Sequence, residues 1–434
     1  MPSYNVWTVG CQMNMSDSER LGAGMAGLGL DQCDKPEDAD VVVLNTCVVR
    51  QTAEDTATGM LGKLKKVKDA NPDRMIVVMG CMVGPSDADL RRRFPQVDLW
   101  ARPQDFNPIL ETVAFRHGIE NGDLDGCLAN LVPNDPKVAT FVPITHGCDK
   151  FCTFCIIPYR RGRETSRLLP ELVDEAKMLV QRGVREITLL GQNVDSYGHD
   201  LDDRKDLADL MEAIQDVDGI ERIRFLTSHP NDMSTRIIQS IADLPKVCET
   251  VNLPFQAGDD VVLANMRRGY TRDQYLEKID EIRDILGDDI TLTTDVIVGF
   301  PGEDEDQFEN TINIVERVRF DKVHSAAYSE RPGTVASRRL PDTVTQSEKK
   351  RRHQRLDAVQ CAIQAEKHAG LVGTSTDILL EGRKRGRMFG RNRNDKIVYV
   401  DDGTHVDCNV RTGETITVEV TEATPWSLVG QPTN

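Results

Sequence analysis

The sequence predicts an α/β multidomain protein: a flavodoxin-like N-terminal domain, a partial (β/α)6 barrel of TIM-like logic, and a small C-terminal β-barrel. Three observations predict it. Short β-rich apolar runs alternate with helix-patterned stretches through residues 1–130 and again over 135–368, which argues parallel sheets covered by helices. Beyond Gly370 short runs separated by glycines take over, the pattern of a small antiparallel barrel or sandwich. Six of the eleven cysteines form two sets of three, one packed into a single loop and one spread over three predicted strand ends.

At 434 residues the chain is too long for one ordinary core. Its 39% hydrophobic and 28% charged residues are those of a soluble globular protein, with no apolar run of membrane-spanning length. The stretch MPSYNVWTVGCQMN lacks a basic region followed by an apolar core, so no export signal is expected. An odd number of cysteines suits thiolate ligands in a reducing compartment better than disulfides, and a cytoplasmic location is the expectation. The net charge of −17 excludes indiscriminate coating of nucleic acid. Basic residues are nevertheless clumped: Arg160, Arg161, Arg163 and Arg167, then Lys349 to Arg355, then Arg383 to Lys396. Local basic surfaces on an acidic body suit placing one RNA at one site. The middle run reads instead as a solvated helix face.

In the first 130 residues Asn5–Val9, Val41–Leu44, Met75–Met79 and Val97–Trp100 read as strands. Ser16–Leu28, Arg50–Ala70, Asp87–Phe94 and Pro108–His117 read as the helices around them. Cys11, Cys47 and Cys81 each lie just past a strand, on the edge where open α/β sheets bind ligands. Separated by about thirty-five residues in sequence, they should converge in space as a metal-cluster site, with helix N-termini beside them favouring thiolate. Cys33, Cys127, Cys248, Cys361 and Cys408 read as small buried hydrophobes.

After a Pro-containing linker at Asn130–Lys137 come six predicted strands: Ala139–Ile144, Ile187–Leu190, Ile223–Thr227, Thr250–Leu253, Thr291–Val298 and Val323–Tyr328. Chemistry in such a barrel belongs at the C-terminal strand ends. There stand Gly191-Gln192-Asn193, Ser228-His229-Pro230, Pro254-Phe255-Gln256 and Gly299-Phe300-Pro301-Gly302. Cys148, Cys152 and Cys155 follow the first strand at spacings of four and three, close enough to hold one inorganic centre. A structural zinc would need a fourth ligand, from His146 or from afar. A four-iron cluster held by three thiolates leaves one iron open to a substrate.

The segment GCDKFCTFCIIPYRRGRE resembles the radical S-adenosylmethionine segment of the methylthiotransferases. GCQMN-x-x-DSE, LNTC-x-VR-x-x-A and GC resemble the N-terminal domain of the same family, and LLGQNV, RIRFLTSHP, LPFQAG, MRRGYTR and DVIVGFPGE resemble its core in order and spacing. The resemblance implies two 4Fe-4S clusters, a radical one on Cys148, Cys152 and Cys155 and an auxiliary one on Cys11, Cys47 and Cys81. It implies S-adenosylmethionine at the first, with Gln192 and Asn193 near its methionyl end and Ser228, Gln256 and Arg268 near the cofactor or target base. An electron donor such as flavodoxin or ferredoxin is implied; the sulfur source is not. Two departures stand out. Met82-Val83-Gly84 occupies a place where the family often has Ala-Gln, and Ala257 one where Ser is frequent.

Val344–Ala369 reads as one long amphipathic helix, followed by strands Ser375–Glu381, Lys396–Val400, His405–Asn409 and Thr415–Thr421. The intervening EGRKRGRMFGRNRNDK resembles a TRAM domain, an RNA-binding module. That places Arg383, Lys384, Arg385, Arg387, Phe389, Arg391 and Arg393 as candidate contacts to a tRNA anticodon stem-loop. The tripeptide Ser228-His229-Pro230 resembles the branch that methylthiolates C-2 of dimethylallyl adenosine beside the anticodon. Three alternatives stay open: a threonylcarbamoyl adenosine or ribosomal-protein aspartate as substrate, a different radical reaction, or a zinc-bearing RNA-binding protein.

Overall fold

The computed structural model describes residues 1–48, 51–119, 131–401 and 411–433. These fall into two compact units: Met1–Asp135 with His146–Asp149 and Cys155–Thr165, and Pro136–Thr145 with Lys150–Phe154 and Ser166–Asn434. The predicted strand His405–Asn409, Cys127 and Cys408 lie outside the described residues.

The first unit is built on a five-stranded parallel sheet, β1 (Ser3–Thr8), β2 (Asp31–Gln32), β3 (Val41–Thr46), β4 (Met75–Gly80) and β5 (Leu99–Ala101), in the order β2-β1-β3-β4-β5. That is the flavodoxin-like order the alternation predicts. Every residue of β3 and β4 is buried, because helices cover both faces. Val41 and Val43 pack with Leu21, Met25 and Ile109 on one side, while Val42 and Leu44 pack with Leu61 and Leu64 on the other. The two-residue β2 was not predicted; both its residues are exposed, so it carries no apolar signal.

The second unit holds β6 (Ala139–Pro143), β9 (Glu186–Leu190), β10 (Arg222–Leu226), β11 (Thr250–Asn252), β12 (Thr291–Val298) and β13 (Lys322–Ala327), while β7 (Thr145–His146) and β8 (Thr165–Ser166) bracket the cysteine loop. Parallel pairing joins β6, β9 and β10, then β11, β12 and β13, and a parallel bridge from Ile223 to Val247 connects the halves. This is the expected open six-stranded barrel. Capping boxes at Asp206/Asp209, Thr271/Gln274 and Asp304/Gln307 start three of its outer helices.

The long helix runs Gln346–Ala369, and here the reading of Lys349–Arg355 as a solvated face is corrected. Lys349 and Arg352 are buried and paired with Asp342 and Glu303. Three residues apart, they share the inner face, where their long stems fill space and their charges find carboxylates.

The same unit ends in a closed barrel of β14 (Ser375–Lys384), β15 (Arg387–Asn392), β16 (Ile397–Val400), β17 (Thr415–Ala423) and β18 (Leu428–Pro432), ordered β14-β15-β16-β18-β17. All pairs are antiparallel except β16 with β18. Ile378, Leu380, Met388, Val398, Val418 and Leu428 fill its core. Gly382 sits at a register shift within β14. The barrel is tied to the β-strand core by side-chain-to-backbone hydrogen bonds: the Arg222 guanidinium donates to Arg391 O, that of Arg224 to Asn392 O and Arg393 O.

Candidate active site

In the first unit the strand register brings the N-terminal cysteines to one edge. Thr8 lies beside Asn45, and Thr46 beside Gly80, so Cys47 and Cys81 each begin the loop after neighbouring strands. The Cys81 N–H donates to Thr46 O at 2.8 Å. Gly80 has φ 100°, and a Cβ there would stand 2.4 Å from Thr46 O, so only glycine permits this approach. A Cβ on Gly10 would lie 2.8 Å from Cβ of Cys47, which puts the Cys11 loop directly against Cys47. Cys11 is exposed, Cys47 and Cys81 buried. Among the described residues no group of three or more His, Cys, Asp or Glu is gathered tightly enough to hold a single metal ion.

A buried polar network underlies this edge. Asn14 Nδ2 donates to Asn45 Oδ1 and Thr46 O, and Asn45 Nδ2 donates to Asn14 O and Ser18 Oγ. The helix Gln12–Gly27 starts at Cys11, four residues earlier than predicted, and so puts Asn14, Asp17 and Ser18 on its inner side. One expectation is corrected here. Helix N-termini were expected beside all three cysteines, but only Cys11 caps a helix directly; Gln51 follows Cys47 by four residues and Ala88 follows Cys81 by seven. A helix dipole acts over its first turn, so Cys81 gains nothing from the helix that follows it. Burial raises the Cys81 thiol pKa, and the cation that opposes this is Arg161, buried beside it in an ion pair with Asp17 at 2.9 Å.

The radical-type loop straddles the two units: Cys148 and Cys155 belong to the first, Cys152 to the second. Within the first, Gly147 has φ 74° and a Cβ there would meet Arg163 O at 2.1 Å. Asp149 accepts from Arg163 Nε and Nη2, at 2.6 and 2.8 Å. Ile156 packs in the same apolar cluster as Cys81, Met82 and Trp100, so the segment after Cys155 is part of that sheet's covering. Phe151, between Cys148 and Cys152 in the loop, is 39% exposed and adopts φ 49°.

Within the second unit, Cys152 is buried and accepts from Arg268 Nη1 at 3.2 Å. Arg268 also donates to Pro254 O and to the Tyr270 hydroxyl, fixing its fork. Thr153 is held by Met266 O and Asn265 O. At the strand ends Asn193 Nδ2 donates to Asp232 Oδ2, which also pairs with Lys150. Ser228 Oγ donates to Asp195 Oδ1 and the His229 N–H to Asp195 Oδ2, each at 2.9 Å. Burial pushes the Asp195 carboxyl up to about 7, against those two hydrogen bonds. Burial, then the charges of Arg268 and Lys150, bring His229 down to about 2, so its ring is neutral. Its Nδ1 accepts from the Asn231 N–H, which leaves the proton on Nε2. Thr227 and Gln256, at two of these strand ends, adopt φ 77° and 68°, strain that collects at sites.

Four buried polar atoms at these strand ends find no protein partner: Thr145 Oγ1, Gln192 Oε1, Asn193 Oδ1 and His229 Nε2. Buried polar atoms are normally satisfied, so this set fits a polar ligand at the barrel's C-terminal end. Sequence reasoning missed Asp195, Asp232 and Lys150. Asp195 lies two residues past the noticed Gln192-Asn193, but nothing in the sequence says which strand-end carboxylates turn inward.

Of the candidate RNA contacts, Arg383, Lys384, Arg385 and Arg387 are exposed around the β14–β15 turn. Phe389 pairs with Tyr399 on the outer barrel surface, ring centres 6.2 Å apart. Arg391 pairs with Glu381, and Arg393 with Glu249, so both guanidinium groups are half-buried and already engaged by carboxylates.

Comparison with known proteins agrees with this architecture. Residues 3–102 match the uncharacterized protein family UPF0004, 142–315 the radical SAM superfamily, and 371–433 the TRAM domain. A tRNA-2-methylthio-N(6)-dimethylallyladenosine synthase of Dehalococcoides mccartyi is 43% identical over 99% of this chain and 98% of its own length. One of a Roseiflexus species is 45% identical over 98% of this chain and 89% of its own. Among solved structures, the radical S-adenosylmethionine methyltransferase TsrM from Kitasatospora setae, with cobalamin and a 4Fe-4S cluster, shares the fold at TM-score 0.57 and 12% identity, covering 78% of this chain and 77% of that one. Full-length identity of this order, over the same three matched regions, means that the chain belongs to the tRNA-2-methylthio-N(6)-dimethylallyladenosine synthase family of radical SAM proteins.

Proposed function

We propose that this protein replaces the hydrogen at C-2 of N(6)-dimethylallyladenosine, next to the anticodon of tRNA, with a methylthio group. In this reading it is divided functionally into 1–130, 135–368 and 369–434, carries two 4Fe-4S clusters and uses two molecules of S-adenosylmethionine. The observation that carries it is the pair of cysteine trios, one on the flavodoxin-like sheet edge and one in the loop after the first barrel strand, in a chain whose relatives share the activity's name over their full length.

Cys148, Cys152 and Cys155 would hold the radical centre, and Cys11, Cys47 and Cys81 the auxiliary one; thiolates are the donor set such clusters take. With S-adenosylmethionine bound, that centre would supply one-electron radical chemistry, suited to a carbon whose hydrogen no side-chain base could remove. The chain's own residues do the positioning. Arg268 orients the Cys152 sulfur. Gln192 Oε1 and Asn193 Oδ1 are acceptors suited to an ammonium group, and Asp232 fixes the Asn193 amide so that its oxygen is the free end. Neutral His229 offers an Nε2–H, while Ser228 is oriented by Asp195. Gln256 is held in its strained conformation by backbone bonds to Asp295 and Ile297. The exposed Arg383–Arg387 turn suits tRNA phosphates, and an unpaired anticodon-loop base can be splayed into a pocket.

A flavodoxin or ferredoxin is the proposed electron donor, and the cytoplasm the proposed location. No helix among the described residues is long and apolar enough to cross a membrane. Mass spectrometry of tRNA nucleosides from a strain lacking the gene tests the substrate. Dimethylallyladenosine should accumulate unmethylthiolated and be converted on complementation. Loss of a methylthiolated threonylcarbamoyl adenosine instead would overturn the reading.

A further inference from the structure

We infer that Arg161 is the positioning and charge-balancing residue of the Cys11/Cys47/Cys81 site, a role that rests on the cluster assignment proposed above. Arg161 and Asp17 form an ion pair at 2.9 Å with both side chains 1% exposed. A guanidinium so deeply buried gives up its hydration and depends on the charges around it, of which Asp17 is the one paired with it directly. The guanidinium lies against the Cys81 sulfur and within electrostatic reach of Cys11. Its Nη1 has no hydrogen-bond partner in the protein, and neither has Asp17 Oδ1. A buried cation with a spare donor, placed among thiols, is an incomplete arrangement that an anionic sulfur ligand set completes. Hydrogen bonds and charge at cluster sulfurs set reduction potential.

The source of this arginine gives the arrangement its meaning. Arg161 ends the short helix Ile157–Arg161, which begins two residues after Cys155. Ile156, Ile157 and Tyr159 anchor that helix in the apolar cluster containing Cys81. The chain leaving the radical-type loop therefore delivers the cation that Cys81, seven residues from the next helix, lacks. Arg160 adds to this: its guanidinium occupies the space a Cβ on Gly84 would take, and it too feels the Cys81 charge. Gly84 belongs to the Met82-Val83-Gly84 stretch, so this departure leaves room for that side chain.

The test uses the full chain with Cys148, Cys152 and Cys155 changed to alanine, so that only the N-terminal cluster is reconstituted. Iron per chain and the midpoint potential by EPR-monitored titration are the readouts. Arg161→Gln removes a positive charge and should shift the midpoint to lower potential. Asp17→Asn leaves the arginine charge unneutralised and should shift it higher, and Arg161→Lys should fall between Arg161→Gln and the parent. Shifts of opposite sign support the inference. Unchanged potentials in both variants, or shifts of the same sign, would overturn it. If Arg161→Gln fails to fold, Asp17→Asn alone decides by its direction. A parent that binds no iron defeats the cluster assignment itself, an outcome distinct from variants that bind iron at the parental potential.

Discussion

Arg268 Nη1 donates to the sulfur of Cys152 at 3.2 Å, and the same guanidinium reaches Pro254 O and the Tyr270 hydroxyl. One residue thus joins a cysteine of the loop after β6 to the end of β11. Arg268→Ala should destabilise the protein by about 3–5 kcal/mol, since it opens a buried site and strands its partners. Arg268→Lys should recover little, because an ammonium cannot span three fixed partners. Urea denaturation of the metal-free protein checks both; a lysine variant as stable as the parent would contradict the account.

Asp195 and His229 are joined through the His229 N–H yet have opposite linkage to pH. His229, down at about 2 when folded, takes up a proton on unfolding, so its contribution is present above about 6.5 and is lost as pH falls below that. Asp195, up at about 7 when folded, contributes stability present below its unfolded pKa near 4 and lost as pH rises towards 7. Between about pH 4 and 6.5 the two slopes oppose, each limited to about 1.4 kcal/mol per pH unit. Asp195→Asn should therefore make stability fall more steeply on acidification than in the parent, and His229→Asn should make it fall less. Denaturant midpoints across that window measure both slopes.

Gly80 stands where β4 turns into Cys81, and Thr46 O leaves no room for a Cβ. Gly80→Ala should cost at least about 2 kcal/mol from strain and the clash together. It should also lower iron uptake at the N-terminal trio while leaving that of the other. Iron content in the Cys148/Cys152/Cys155 alanine background, set beside a chain lacking Cys11, Cys47 and Cys81, separates the two.

The basic residues that belong to the C-terminal barrel or hold it in place should divide into two classes. Arg224, buried against Glu186 at 2.8 Å, is structural, and Arg224→Met should cost about 3–5 kcal/mol by leaving that carboxylate unpaired. Arg385, exposed at the β14–β15 turn, should change stability by less than about 0.5 kcal/mol. Arg385→Ala should instead weaken tRNA binding and reduce the salt slope by about 1. Binding isotherms at several salt concentrations, beside thermal melts, would expose a reversal of the two.

The sequence by itself determined the order of strands and helices, the six-strand barrel, and the strand ends on which Cys11, Cys47 and Cys81 stand. Those features rest on apolar periodicity and chain connectivity, both local and written in residue order. It also pointed to Gln192, Asn193, Ser228 and Gln256, because functional residues of parallel sheets follow strand C-termini. Tertiary structure alone decided which charges turn inward. Lys349, Arg352 and Arg161 look like their solvated neighbours in sequence, and each is drawn inside by a carboxylate: Asp342 lies 7 residues from Lys349, Glu303 49 from Arg352 and Asp17 144 from Arg161. A buried charge survives only where a partner meets it, and no local pattern says where folding will bring that partner.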